Sequence, residues 1–375
     1  MPDFTSALYL GMRHPAEALV TWSSLTTGMP AAMAESPAAP MVAQAIARLV
    51  GCEQAVLGPS TLHLFWDICG MLAEQGYAFY LEQGSYPIAR WGVERAAGRG
   101  AAVTSFRHQD AGALEQLLGR NRSSRPVIVA DGLCSACGCR APLADYQMLA
   151  RRHGGLLLVD DTQALGILGA RPTGKRPYGQ GGGGSLRHLT LTGPDVLVIS
   201  SLAKGFGAPL AVLAGSEEAV RHFAHHSETR VHCSPPSLVA VYAAARALQL
   251  NRAHGDALRG RLASRVRHFR SLLNEANLTA HGGLFPVQTV NLRRNQDARQ
   301  VHNHLHTRGV RTVLRRGCRT RRPAVTFVIT ARHRPGEIVR AVQTLQTATG
   351  RQRSLQPGAE TSAAGSTAAI QGRKL

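Results

Sequence analysis

The sequence has very little lysine and few aromatic residues. Only three of its 43 basic residues are lysines, Lys175, Lys204 and Lys374. The arginines are spread along the chain and do not alternate with aromatic side chains, which make up 5% of the residues. A net charge of +20 is therefore better explained by genomic base composition than by a surface built to bind nucleic acid.

Long apolar runs and a cysteine framework are absent as well. No apolar run reaches the roughly 18 residues that a membrane span requires. The N-terminus, Met1 to Phe4, lacks a basic segment followed by an apolar one. Seven cysteines in 375 residues are an odd number in a long chain, unlike a small disulfide-rich domain. We therefore expect a reduced, soluble, cytoplasmic protein.

Alternating strands and helices dominate the middle of the chain. Short apolar segments such as 126–132 and 156–161 predict strands, and segments such as 62–76 and 143–155 predict helices. Strands that are apolar on both faces and joined by helices are typical of a mostly parallel sheet. With 44% hydrophobic residues the chain can bury a large core, and the predicted fold class is α/β.

Composition divides the chain into four predicted parts. Residues 1–45 contain several prolines with little periodicity and are predicted to form an N-terminal arm, and residues 46–250 form the large α/β domain. Residues 251–348 begin with an amphipathic helix over 261–276 and continue with strands and helices, which predicts a small α+β domain. Residues 349–375 are predicted to be a disordered tail.

Lys204 carries the strongest chemical signal. It follows a predicted strand and precedes a Gly-Phe-Gly loop within residues 199–210. An amine at the end of a strand can form an imine with an aldehyde cofactor such as pyridoxal phosphate, and Ser201 can bind the cofactor's phosphate. The alternative is a solvated surface lysine, but this chain otherwise uses arginine almost throughout. We therefore predict that Lys204 is the cofactor lysine.

Asp160 ends a wholly apolar strand. A carboxylate that is partly buried at a strand tip needs a cationic or hydrogen-bonding partner, and the protonated ring nitrogen of pyridoxal phosphate is one. Gln163 can donate to the ring hydroxyl. The alternative is that Asp160 and Asp161 are a pair of helix caps.

Ser60 and Thr61 open a predicted helix after a strand that ends at Leu57. Backbone N–H groups at the start of a helix bind phosphate. An ordinary N-cap at Ser60 is compatible with this role.

These segments together resemble the fold-type-I pyridoxal-phosphate enzymes. The resemblance is greatest to the α-oxoamine synthases, such as aminooxononanoate synthase and aminoketobutyrate ligase, and it runs in order from about Leu8 to Leu345. The matching segments are LYLGMRHP (8–15), GLCSACGCRAPL (132–143), DDTQALGILG (160–169), SLAKGFG (201–207) and CSPPS (233–237).

The resemblance implies an aminotransferase-like fold of type I and a homodimer with shared active sites. It also implies a transferase that activates an amine or amino acid on pyridoxal phosphate for attack on an acyl thioester. The implied cofactor contacts are Lys204 at the Schiff base, Asp160 at the ring nitrogen, Tyr86 against the ring, Ser135 beside it, Ser201, Ser60 and Thr61 at the phosphate, and His232 at a phosphate shared between subunits.

The chain also departs from this family. Gln163 replaces a histidine, which is reminiscent of sugar aminotransferases, and residues 204–210 are similar to threonine aldolases, so an aminotransferase or an aldolase-like lyase stays an alternative. The family has an Arg-x-Arg pair, one of whose arginines binds the substrate carboxylate, and this chain has Ala324 and Thr326 at the two positions. Either Arg321 or Arg322 replaces it, or the substrate is not a free amino acid. A non-catalytic scaffold or a basic nucleic-acid binder is the remaining alternative.

No metal site is predicted. Cys134, Cys137 and Cys139 lack a second Cys or His pair nearby in the sequence, and the resemblance places them in a turn. The three histidines between 302 and 306 are interpreted as a solvated helix face. The basic run 315–322 is interpreted as a solvated loop.

Overall fold

The computed structural model describes residues 1–121, 125–316 and 322–350. The predicted carboxylate-binding Arg321 and nearly all of the predicted tail lie outside the described residues. None of the described helices combines the length and the apolar character needed to cross a membrane.

Seven of the described strands form one sheet in the order β1-β7-β6-β5-β4-β2-β3. The strands are β1 Gln54–Gly58, β2 Ala78–Glu82, β3 Val103–Phe106, β4 Pro126–Asp131, β5 Leu156–Asp160, β6 Val196–Ser201 and β7 Ala211–Gly215. Strand β7 is antiparallel to both of its neighbours, and the other pairs are parallel. Every residue of β4 is buried, which explains the apolar run from Pro126 to Ala130.

Helices cover both faces of this sheet. They are α1 Ala39–Val50, α2 Thr61–Glu74, α3 Pro87–Gly98, α4 Ala111–Arg120, α5 Leu143–Arg152, α6 Gly184–Leu189, α7 Glu217–His226, α8 Glu228–His232 and α9 Leu238–Glu275. Helices α2 and α3 approach closely at Gly92, where an added Cβ would lie 2.8 Å from the carbonyl oxygen of Phe65. Two buried apolar clusters, one on each side of the sheet, form the core.

A second sheet in the described part of the chain has four antiparallel strands in the order β10-β11-β9-β8. Its strands are β8 Ala280–His281, β9 Val287–Val290, β10 Val313–Arg316 and β11 Pro323–Val328, and the adjoining helices are α10 Ala298–Thr307 and α11 Pro335–Ala348. Helix α9 is continuous across residue 250, where the sequence predicts a boundary between domains. That division stays a prediction.

The N-terminal segment packs against the second sheet. Backbone hydrogen bonds join Phe4 N to Arg311 O and Val328 N to Phe4 O, each at 2.9 Å. The Phe4 ring is fully buried and stacks on His333 with 4.3 Å between the ring centres. Residues 1–10 are therefore held in place close to the edge where the parallel strands end, as the contacts of Tyr9 below indicate.

Candidate active site

The carboxyl ends of the parallel strands meet at one edge of the large sheet. Gly58 and Ser201 both pair with Ala211, and Asp160 pairs with Ile199. Gly58 and Ser201 are thus two strand spacings apart, roughly 10 Å. The three segments that the sequence connects with a cofactor lie along this edge, which is where open α/β sheets bind ligands.

Lys204 lies in the turn between β6 and β7. Its Nζ is 5.4 Å from the centre of the Tyr86 ring. Burial lowers the pKa of Lys204, although the negative charges of Asp160 and Asp131 act in the opposite direction. A lysine that is more easily deprotonated is a better nucleophile toward an aldehyde.

Asp160 is buried, with 5% of its surface exposed, and its Oδ1 accepts a 3.0 Å hydrogen bond from Thr162 N. Burial raises the pKa of Asp160. Asp131 ends the neighbouring strand directly opposite, and burial together with the charge of Asp160 raises the pKa of Asp131. Two buried acids side by side are stabilised by a nearby cation, and a protonated pyridine ring would supply one.

Asp131 was missed by the motif analysis, although its signal is the same as that of Asp160. It too is an acid at the end of an otherwise apolar strand. Its Oδ1 accepts a 3.0 Å hydrogen bond from the backbone N–H of Tyr86. Tyr86 is 43% exposed and stands at the start of α3. Asp131 therefore fixes the position of an aromatic face that is open for stacking on a planar ring.

Gln163 is buried and bound by a residue from the N-terminal segment. The hydroxyl of Tyr9 donates to Gln163 Oε1 at 2.6 Å. Burial raises the pKa of Tyr9, so the phenol keeps the proton that it donates. With its oxygen occupied, Gln163 has its amide NH₂ left as a donor, which suits the predicted contact with a ring hydroxyl. Tyr9 belongs to the segment 8–15, but nothing in that segment's sequence marks it as a contact of Gln163.

The three hydroxyl residues predicted to bind phosphate lie along the same edge of the sheet. Ser60 has an extended backbone at the start of α2, but its side chain makes no capping hydrogen bond and pairs instead with His63 Nδ1 at 2.8 Å. Thr61 is the first residue of the 14-residue helix. Ser201 N donates to Thr162 Oγ1 at 3.0 Å. Backbone amides at a helix start that are not capped by a side chain suit an anion.

Arg315 is a second residue that the motif analysis missed. Its Nη1 donates to the carbonyl oxygen of Ser135 at 2.7 Å. Its positive charge lowers the pKa of Tyr9, although burial has the larger effect there and raises that pKa. It also lowers the pKa of Lys204, where burial acts in the same direction. The guanidinium is therefore within electrostatic reach of both residues. Its only sequence signal was membership of the basic run 315–322.

Two other predicted residues, Arg322 and His232, are exposed. Arg322 is exposed and lines a cavity of about 770 Å³ together with Ala324 and Cys137. His232 is exposed at the end of α8. Its predicted contact involves a second subunit and stays a prediction.

These donors fit pyridoxal phosphate. They offer an amine for the aldehyde, acids for the ring nitrogen, an aromatic face for the ring, an amide for the ring hydroxyl and a helix start for the phosphate. The family model "Aminotransferase class I and II" matches residues 19–345. The chain belongs to this family. Membership confirms the predicted cofactor, pyridoxal phosphate, and the predicted class of enzyme, a transferase.

Individual relatives agree with this assignment. The 8-amino-7-oxononanoate synthase of Acidithiobacillus ferrooxidans is 30% identical over 282 residues, which cover 73% of this chain and 69% of that protein. The serine palmitoyltransferase structure from S. paucimobilis, with bound PLP, has a TM-score of 0.80 at 21% identity and covers 92% of this chain and 86% of that one. For 8-amino-7-oxononanoate synthase from Francisella tularensis the TM-score is 0.71 at 17% identity, with coverage of 92% and 97%.

These similarities confirm two predictions. The solved structures confirm the fold of type I. The family match and the sequence relatives confirm the resemblance to α-oxoamine synthases.

Proposed function

We propose that the protein joins a carbon atom of an amino acid to the acyl group of a thioester, as an α-oxoamine synthase does. The observation that carries this proposal is the position of Lys204, whose Nζ lies 5.4 Å from the centre of the Tyr86 ring and whose pKa responds to the charges of the paired acids Asp131 and Asp160. This arrangement occurs in a chain whose sequence relatives are named 8-amino-7-oxononanoate synthases.

When it is bound, pyridoxal phosphate draws electrons from the carbon next to the substrate nitrogen. Lys204 Nζ would hold the cofactor through its aldehyde and would serve as the base for the proton on that carbon. Asp160 would hold the ring nitrogen, and Tyr86 would lie against the ring and exclude water from it.

Arg315 is proposed to bind the substrate carboxylate. Thr326 is buried and hydrogen-bonded to Thr289 Oγ1 at 3.0 Å, so nothing cationic stands at that position of β11. Arg315 on β10, however, pairs directly with Ala324 on β11. Side chains of directly opposed residues start about 5 Å apart. The guanidinium therefore comes from the adjacent strand and reaches the region that an arginine at position 324 would occupy.

The protein is further proposed to act as a homodimer in the cytoplasm. The resemblance to α-oxoamine synthases favours the dimer, with His232 reaching the second subunit's site. The cysteines of the described residues are all free thiols, which favours a reducing compartment. Sedimentation of the holoenzyme tests the dimer: a species with twice the mass of the chain is expected, and a monomer contradicts it.

The reaction is tested by incubating the holoenzyme with amino acids and acyl-coenzyme A thioesters. Release of free coenzyme A thiol that depends on both substrates is expected. Two further assays are run in parallel. One combines amino donors with keto acids and detects transamination, and the other supplies β-hydroxy amino acids and detects aldol cleavage. Keto-acid formation or aldehyde release without any thiol release would contradict the proposal in favour of transamination or aldol cleavage.

A further inference from the structure

Three side chains beside the cofactor site converge although they come from two segments of the chain. The ligand atoms of His108, Cys134 and Cys137 all lie within 4.8 Å of one another. His108 Nε2 is 3.4 Å from Cys137 Sγ. Cys134 is 2% exposed, and the other two side chains are half-buried.

The loop that carries the two cysteines is folded so that both sulfurs face one point. The backbone N–H of Ala136 donates to Cys134 Sγ at 3.4 Å, and Gly138 N donates to the carbonyl oxygen of Cys134 at 2.9 Å. Gly138 follows Cys137 with φ +68°, a left-handed conformation in which a side chain would be strained. Hydrogen bonds from N–H groups to sulfur favour the thiolate, which is the form that binds metals.

His108 is oriented by a buried acid. Its Nδ1 lies 2.9 Å from Glu82 Oε1, and Glu82 is 1% exposed. The same carboxylate oxygen accepts a 2.6 Å hydrogen bond from Gln109 N. When the carboxylate accepts a hydrogen bond from Nδ1–H, the Nε2 lone pair is free and faces the sulfurs. Metal-binding histidines almost always have such a partner.

We propose that His108, Cys134 and Cys137 bind one Zn²⁺ ion. A Cys-x₂-Cys pair with a histidine is a donor set that zinc prefers, and two thiolates balance the charge of the ion. The fourth position is left for a water molecule from the cavity of about 770 Å³ that Cys137 and Cys139 line.

The ion would fix the loop that holds Arg315. Ser135 lies between the two cysteine ligands, and its carbonyl oxygen is the acceptor for Arg315 Nη1. A disulfide between the two cysteines would also close this loop, but it needs only the two sulfurs, whereas His108 adds a third ligand atom within 4.8 Å of both. Thiol mapping distinguishes the disulfide from the zinc site.

Metal content tests the proposal directly. The full-length holoenzyme is purified without chelator, incubated with excess Zn²⁺, desalted and measured by inductively coupled plasma mass spectrometry. Stoichiometric zinc is expected in the wild type and in Cys139→Ser, whose thiol points to the carbonyl oxygen of Cys137 and belongs to the same loop. Loss of zinc is expected in Cys137→Ser and in His108→Ala. Glu82→Gln should weaken zinc binding about 10- to 100-fold.

Cobalt provides a readout that does not depend on activity. Co²⁺ added to zinc-free protein should give a sulfur-to-cobalt charge-transfer band that is weaker in Cys137→Ser and unchanged in Cys139→Ser. Circular dichroism and cofactor absorbance establish that each variant is folded. The proposal is overturned if the folded wild type holds no stoichiometric zinc, if Cys137→Ser keeps as much zinc as Cys139→Ser, or if thiol mapping finds Cys134 and Cys137 joined in a disulfide.

Discussion

Asp131 and Asp160 lie directly opposite each other at the ends of two neighbouring parallel strands, and both are buried. Burial raises the pKa of each acid, and for Asp131 the charge of Asp160 adds to the effect. Burying two neighbouring acids lowers the stability of the folded state unless cations lie close to them. Lys204 is one such cation, and the ring nitrogen of the cofactor is the proposed other.

Replacing Asp160 by asparagine should weaken cofactor binding about 10- to 100-fold, because a charge-assisted hydrogen bond contributes about 1.5–3 kcal/mol. The change keeps the shape of the side chain, so the fold should persist. Titration of the apoprotein with pyridoxal phosphate, followed by absorbance, measures the affinity. Asp145→Asn, an exposed acid at the start of α5, is the control and should leave the affinity unchanged. If Asp160→Asn and Asp145→Asn bound the cofactor with equal affinity, Asp160 would not be a cofactor contact.

Removing the hydroxyl of Tyr9 should affect the cofactor through Gln163. Tyr9→Phe deletes a buried hydrogen bond, so the free energy of unfolding should fall by about 1 kcal/mol and cofactor affinity by about fivefold. Tyr178→Phe is a matched control, since Tyr178 is also buried and donates to the carbonyl oxygen of Leu284 at 2.5 Å. Denaturant unfolding and cofactor titration should show a stability loss in both variants and an affinity loss only in Tyr9→Phe. An affinity loss of the same size in both would mean that the Tyr9 contact is merely structural.

Arg315→Gln should raise the KM for the amino acid about 10- to 100-fold, as expected for the loss of an arginine–carboxylate pair, and should leave the KM for the thioester unchanged. The neighbouring Arg316 is exposed on the other face of β10, which makes Arg316→Gln a close control. Steady-state kinetics with each substrate varied in turn measures both constants. If Arg316→Gln raised the KM for the amino acid as much as Arg315→Gln does, a general effect of positive charge would be the better explanation.

Asp161 should make the stability of the cofactor-free protein depend on pH. Burial raises its pKa from 3.8 to about 7, against the hydrogen bond that its Oδ2 accepts from Ser185 N at 2.8 Å. Because the folded pKa is the higher one, the folded state binds the proton more tightly, and stability is lost as the pH rises from about 4 to about 7. Between about pH 4 and about pH 8, the Tm of the wild type should therefore fall relative to that of Asp161→Asn. Parallel pH profiles of the two proteins would contradict this assignment.

The fold was predictable where local signals were strong. The predicted strands 126–132 and 156–161 end within one residue of β4 and β5, because apolar runs between turns are typical of buried parallel strands. Helix α9 was predicted only over 261–276. Its earlier part packs polar groups that hydrophobic spacing does not detect, such as the buried Arg259, whose Nη1 donates to Gly166 O at 2.9 Å.

The site was predictable where one segment holds the whole signal. Lys204 and Asp160 each follow a strand, and the structure brings both to the same edge. Tyr9, Arg315 and His108 were missed because each meets its partners only through tertiary structure. For Arg315 the decisive fact is its pairing with Ala324 across two strands, and no spacing within a single segment contains that information.

The direct test of the account is to identify the lysine that binds the cofactor. Borohydride reduction of the holoenzyme, followed by peptide mapping, should leave the reduced cofactor on Lys204 and on neither Lys175 nor Lys374. Lys175→Ala should be labelled like the wild type, and folded Lys204→Ala should carry no reducible chromophore. Label on another lysine, or a reducible chromophore in Lys204→Ala, would contradict the account.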